Sequence, residues 1–156
     1  LTERTKEKGD TMKLKIEEDE QLVEPEITIR CPKIDESIVK LSEVINNHFI
    51  RILGKKEGMT TILNLDEIYY FEVVENRLFA YTEKEVYEVN YKLQQLATIL
   101  LPTAFIQTSR TMLLNIAKIK RIRSLVNGRI MAILDNGEKT VITRVYANDF
   151  KQKLKG

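Results

Sequence analysis

The sequence predicts a mainly β fold with a few helices, preceded by a short β-β-α segment. Two Asn-Gly pairs, Asn127-Gly128 and Asn136-Gly137, each sit between apolar runs, as hairpin turns do. The stretch Glu67–Val74 is dense in aromatic and β-branched residues, which suit a half-buried pleated surface. Apolar residues recur at helical spacing in three stretches, after Asp35, after Asn90 and after Val145.

Taken in order, the first strands are Met12–Glu17 and Glu26–Cys31, the second alternating as Ile27, Ile29, Cys31 between Pro25 and Pro32. Asp35 is placed to cap a helix carrying Ile38, Leu41, Val44 and Ile45, which Asn46-Asn47 ends. Strands follow at Arg51–Leu53 and Thr60–Leu65, with Lys55–Gly58 as a polar turn between them. Glu67–Val74 and Arg77–Tyr81 form a hairpin about Glu75-Asn76, and Val86–Val89 adds a strand. Leu93, Leu96, Ala97 and Leu100 mark a helix capped by Asn90 and closed before Pro102. Phe105–Thr108 and Met112–Leu114 are extended segments around the polar patch Thr108–Thr111. The Asn-Gly pairs, read as type I′ turns, predict a three-stranded antiparallel meander from about Ile119 to Thr143. A last helix sets Ala147, Phe150 and Leu154 inward and Lys151, Lys153 and Lys155 toward solvent.

A chain of 156 residues holds one ordinary domain, or a small domain plus an appendage. No apolar stretch approaches the roughly 20 residues that cross a bilayer. One cysteine, Cys31, leaves no intrachain disulfide, which fits a reducing compartment and a cytoplasmic location. Because the chain opens on Leu1 rather than Met, residues 1–11 are read as a tag or upstream segment. The net charge of +2 hides a gradient. Residues 1–49 hold 8 Lys/Arg against 12 Asp/Glu, whereas residues 103–156 hold 11 against 3. A basic face favours polyanions, because each neutralised phosphate releases counterions. The shift from acidic to basic puts a boundary near residue 49, with 12–48 as a β/α extension serving dimerisation or docking and 49–156 as the main domain.

Several chemistries lack their residues. His48 is the only histidine and has no Cys/His cluster beside it, so zinc sites of standard spacing are excluded. Cys31 on an apolar strand face reads as a small buried hydrophobe, and no Gly-rich phosphate loop is present. We expect no catalysis, no cofactor, no metal and no small-molecule substrate. Polar and basic residues instead collect in loops: Asn76-Arg77 at a hairpin turn, Ser109-Arg110-Thr111 within an apolar stretch, and Arg144 before the last helix. Arginine at a loop tip can fork onto guanine or phosphate, asparagine onto adenine, and Ser, Thr or Tyr146 onto phosphate oxygens. Lys118, Lys120, Arg121 and Arg123 form a basic stripe that is either a phosphate track or a solvated strand face.

From about Phe49 onward the order of segments resembles the LytTR-type DNA-binding domain of bacterial transcription regulators. The run Leu65–Glu72 resembles that family's "I-x-Y-I/F-E" strand, and Phe105–Asn115 its "F-x-R-x-H-R/K-S-x-x-V-N" segment. Ile119–Ile122 resembles the following "I-x-x-I", and Asp135–Gly137 with Val141–Tyr146 the closing "G-x-x-x-x-V-S-R-x-Y". The departures are Gln107 and Ser109, where the family often has Arg and His, and Thr111 and Thr143, where it has Ser. The resemblance implies stacked small antiparallel sheets that send loops into successive major grooves. The DNA-facing positions it implies are Asn76, Arg77, Ser109, Arg110 and Arg144; Thr111, Lys120, Arg121 and Tyr146 join them on the physical grounds above. Forty-eight leading residues are too few for the phosphoreceiver domain of many relatives, so we expect a stand-alone regulator of double-stranded DNA. It would act as a homodimer or as a pair on repeated half-sites, with a neighbouring membrane regulator as a candidate partner. The alternative is a protein-interaction module whose basic face meets an acidic partner without DNA.

Overall fold

The computed structural model describes residues 2–5 and 12–156. The chain divides into two compact units, Leu1–Lys33 and Ile34–Gly156. In the first, β1 (Thr2–Thr5) pairs antiparallel with β2 (Lys13–Ile16). Residues 26–31 form no strand, contrary to the alternating pattern. Alternation suits a pleat, but a strand needs a ladder partner, and none of the described strands pairs with this prolines-bracketed stretch. Cys31 is accordingly half-buried in an irregular segment rather than on a buried strand face.

The second unit opens with α1 (Glu36–Phe49). The Asp35 carboxylate accepts from the Ile38 amide at 3.1 Å and satisfies one of the orphan donors of the first turn. The helix continues through Asn46-Asn47, because the Ile50 amide still reaches the Asn46 carbonyl at 3.0 Å. His48 lies exposed in its last turn.

Seven strands then form one antiparallel sheet: β3 (Ile52–Lys56), β4 (Met59–Leu63), β5 (Ile68–Val74), β6 (Arg77–Thr82), β7 (Val86–Val89), β8 (Phe105–Ser109) and β9 (Met112–Asn115). Their order is β4-β3-β7-β6-β5-β9-β8. The β3–β4 turn is narrower than the sequence suggests: Lys55 and Lys56 pair with Thr60 and Met59, leaving only Glu57 and Gly58 at the tip, both at positive φ. Between β7 and β8 runs α2 (Leu93–Ile99). Its cap is Lys92, not Asn90: the β7 ladder holds the chain extended to Val89, and the Lys92 amide donates to the Gln95 side chain at 3.0 Å. Leu93, Leu96 and Leu100 bury against Ile52, Phe71, Leu78, Phe105 and Leu113 to make the larger core. Gly54 is required there, since a Cβ would meet Tyr87 Cβ at 2.7 Å.

The expected meander is present as β10 (Ile119–Ser124), β11 (Ile130–Leu134) and β12 (Lys139–Ile142). Asn127 and Gly128 both take positive φ, but the Leu125 amide closes on the Arg129 carbonyl, so this loop holds three residues, Val126 to Gly128, and is not the expected two-residue type I′ turn. At the second turn only Gly137 does. That hairpin has a three-residue loop closed by the Leu134 amide on the Glu138 carbonyl, and the Asn136 side chain is spent accepting from the Glu138 amide, so the type I′ assignment fails. Ile130, Ala132, Leu134 and Ile142 pack with Leu114, Ala147 and Phe150 in a second core. Phe150 comes from α3 (Ala147–Lys155), on which Lys151 and Lys155 are exposed as expected. Lys153 is not: it is half-buried, its ammonium donates to the Leu101 carbonyl at 3.0 Å, and burial holds its pKa below the usual range. No helix among the described residues is long and apolar enough to cross a membrane.

Two tyrosine hydroxyls fasten the β11–β12 turn to β5. Tyr69 donates to Asp135, and Tyr70 donates to Glu138 at 3.0 Å. The bond to Asp135, and then burial, push Tyr69 up to about 12. Its value in the unfolded chain is about 10. The stabilising proton is therefore fully held below pH 10 and lost as pH rises from 10 toward 12. Tyr69→Phe should lose stability less steeply than the unaltered protein across that window in urea unfolding. Equal slopes would show that this hydroxyl is not what the alkaline limb titrates.

Candidate nucleic-acid interface

Three turns meet at one end of the second unit because strand register puts them there. β5 and β6 pair up to Val74↔Arg77, so Glu75 and Asn76 form the tip, both left-handed at φ +50° and +63°. A two-residue hairpin tip demands this conformation, and Asn tolerates it. β9 pairs with β5 at Met112↔Glu72, and the Val73 amide donates to the Thr111 carbonyl at 2.9 Å. The Arg110-Thr111 tip thus emerges from the same edge of the sheet, roughly 10 Å away by strand spacing.

The third turn is tied to the second by hydrogen bonds. The Thr143 amide donates to the Thr108 carbonyl at 2.9 Å, and the Thr143 hydroxyl donates to the same oxygen at 3.3 Å. The Gln107 side-chain amide donates to the Ser109 carbonyl at 3.0 Å and to the Tyr146 hydroxyl at 3.3 Å. Arg144 leads the one-turn 3-10 helix Arg144–Tyr146 between these anchors and is exposed. Its aliphatic stem lies on the Asn127-Gly128 turn: a Cβ at Gly128, whose φ is +73°, would come within 3.3 Å of Arg144 Cγ.

The candidate residues therefore separate. Asn76, Ser109, Arg110, Thr111, Arg144 and Tyr146 gather at this end. Ser109 is half-buried and its hydroxyl accepts from the Thr111 amide at 3.2 Å, which shapes the tip. Among the described residues no carboxylate pairs with Arg110 or Arg144. Arg77 shares the hairpin, but its guanidinium is engaged by Glu88 through both Nε, at 3.0 Å, and a terminal nitrogen. Lys120 and Arg121 are exposed on β10 near a register shift, seven and six residues from Asn127, or roughly 20 Å along an extended chain. Among the described residues no hydrogen bond or ion pair ties them to the loops. Sequence composition marks Asn127-Gly128 only as a turn; the structure sets Gly128 against the Arg144 stem, and Arg129, next in the chain, donates its Nε to the Val126 carbonyl at 3.4 Å.

The opposite end of the sheet carries mixed charge: the turns with Glu57 and with Glu83-Lys84-Glu85 lie there, Lys56 pairs with Glu85, and Tyr69 and Tyr70 hold Asp135 and Glu138 near the start of β5. A locally positive end attracts polyanions.

Comparison with known proteins identifies the family and the fold. The LytTr DNA-binding domain family model matches residues 58–155. The chain belongs to the LytTR family. A sensory transduction protein LytT of Enterococcus faecalis is 35% identical over 89 residues, covering 57% of this chain but only 37% of its own length. An uncharacterized HTH-type transcriptional regulator of Staphylococcus aureus is 23% identical over 145 residues, 92% of this chain and 98% of its own. A solved LytTr DNA-binding domain from Bacillus cereus superposes with a TM-score of 0.62 over 67% of this chain and 95% of that one, at 24% identity, which speaks for the fold. Among the described residues the three α-helices are separated by strands, so none forms a helix-turn-helix pair.

Thr108 shows where this LytTR chain has room to change. It is fully buried, and its hydroxyl finds no hydrogen-bond partner among the described residues although its carbonyl is used twice. Thr108→Val should match or exceed the unaltered stability by up to about 1 kcal/mol in urea unfolding, since it removes an unpaired buried polar group. A clear loss would mean the hydroxyl is bonded after all.

Proposed function

We propose that this chain is a transcriptional regulator that binds double-stranded DNA through the turns at Asn76, Arg110 and Arg144. The observation that carries the proposal is the tie between Thr143 and the Thr108 carbonyl, which holds two unpaired arginines on one rigid end. Arg144 and Arg110 have the donor geometry for guanine or phosphate, and Asn76 that for adenine. Ser109, Thr111 and Tyr146 serve phosphate oxygens or shape the tips. Tips about 10 Å apart suit one major groove and its flanking phosphates, whose width is about 12 Å. Reaching a successive groove, about 34 Å on, falls to a second copy on a repeated half-site. Lys120 and Arg121 lie off this end and act on phosphates farther along the duplex.

Selection from a random duplex pool at fixed moderate salt should enrich a defined sequence. An enriched protein partner with no retarded duplex would favour an interaction module instead. On the selected site, Arg144→Ala should weaken binding by roughly 1–3 kcal/mol and relax preference at one position. An equal loss on random duplex would reassign Arg144 to phosphate. Replacing Lys120 and Arg121 together by Ala should flatten the salt dependence of binding, and an unchanged slope would clear both of DNA contact.

A further inference from the structure

The first tip offers two polar groups to a duplex, the Asn76 amide and the Arg77 guanidinium, yet only one of them is presented. Phe79 pairs with Glu88 across β6 and β7, and Arg77 lies two residues before Phe79 on the same face. Its guanidinium sits 5.4 Å from the centroid of the Phe79 ring and pairs with both carboxylate oxygens of Glu88. The side chain therefore folds back along β6, away from the Glu75-Asn76 tip. The pair raises the Arg77 pKa and lowers that of Glu88, so each partner holds the other in its charged form.

We propose that Glu88 is a positioning residue that withholds the Arg77 charge from DNA, so that the first tip reads sequence through Asn76 instead of gripping phosphate through Arg77. This rests on the reading of the ligand as duplex DNA. For Arg77 to reach a phosphate, Glu88 must be left unpaired beside a polyanion. Phosphate contacts carry affinity for every sequence, whereas an amide on a base edge discriminates. Withholding a cation at this position therefore raises the ratio of specific to non-specific binding. Lys55, the register partner of Glu88 on β3, also faces that carboxylate, so the test must separate it from Arg77.

Titrations of the full chain on a selected duplex and on random duplex of equal length, across a salt series, test this. Glu88→Gln should tighten binding to random duplex by about three- to tenfold and steepen its log–log salt slope by about 0.9, the share of one phosphate contact. The ratio of specific to random affinity should fall accordingly. Adding Arg77→Ala to that variant should restore the original slope, and Arg77→Ala alone should leave it unchanged. The proposal is overturned if Arg77→Ala alone flattens the slope by about 0.9, because Arg77 would then already be on phosphate. It is also overturned if Glu88→Gln acts equally in the presence and absence of Arg77, since Lys55 or overall charge would then be responsible. Should Glu88→Gln fail to fold, the slope of Arg77→Ala alone decides. Failure of the unaltered chain to bind any duplex removes the functional reading itself, a result distinct from either of these.

Discussion

The Thr108 carbonyl is the point on which the arginine-bearing end of this molecule depends. It lies at the register shift of β8, where the edge strand leaves regular pairing with β9. A bulge frees backbone groups at a sheet edge and bends the strand. Here the freed oxygen takes two donors from Thr143, joining the end of the three-stranded sheet to the edge of the seven-stranded one. Without that junction Arg144 would sit on an untethered turn. With it, Arg144 is fixed between the Thr143 anchor, the Tyr146–Gln107 bond and the backbone of Gly128.

Rigidity at the base and exposure at the tip are complementary requirements. The two cores on which the turns rest are apolar and closed, so the strand ends have little freedom to move. The tips carry small polar residues, left-handed backbone and arginines with aliphatic stems. This division suits a surface that recognises a rigid polymer, because ordering the tips on binding costs less when their bases are already fixed.

Much of this was legible in the amino-acid order. Local chemistry identified the Glu75-Asn76 and Asn127-Gly128 turns, the Asp35 cap, the meander and the buried face of α2, because each is decided within a few residues; Val44 and Leu154, read onto the inward faces of α1 and α3, are exposed. What escaped was decided by partners distant in sequence. The alternation of Ile27, Ile29 and Cys31 is that of a strand, yet no ladder forms on it among the described residues. Lys153 reads as a solvent lysine on a helical wheel, but the Leu101 carbonyl draws it in. Asn136-Gly137 has the composition of a two-residue turn, and a third residue entered the loop because the Asn136 side chain serves the Glu138 amide. In the candidate interface, the loop arginines were identifiable one at a time. That Glu88 engages Arg77, and that the Asn127-Gly128 turn supports Arg144, followed only from pairing across strands.

The central claim is that one end of the molecule, held together at Thr108, meets the duplex as a single surface. Amide chemical-shift mapping during titration with a selected duplex tests it most directly. Perturbations should concentrate at residues 75–77, 108–111, 127–129 and 143–146 and move together at one midpoint, leaving 57–58 and 83–85 still. Shifts centred on residues 57–58 and 83–85, or confined to one of the four turns, would contradict it.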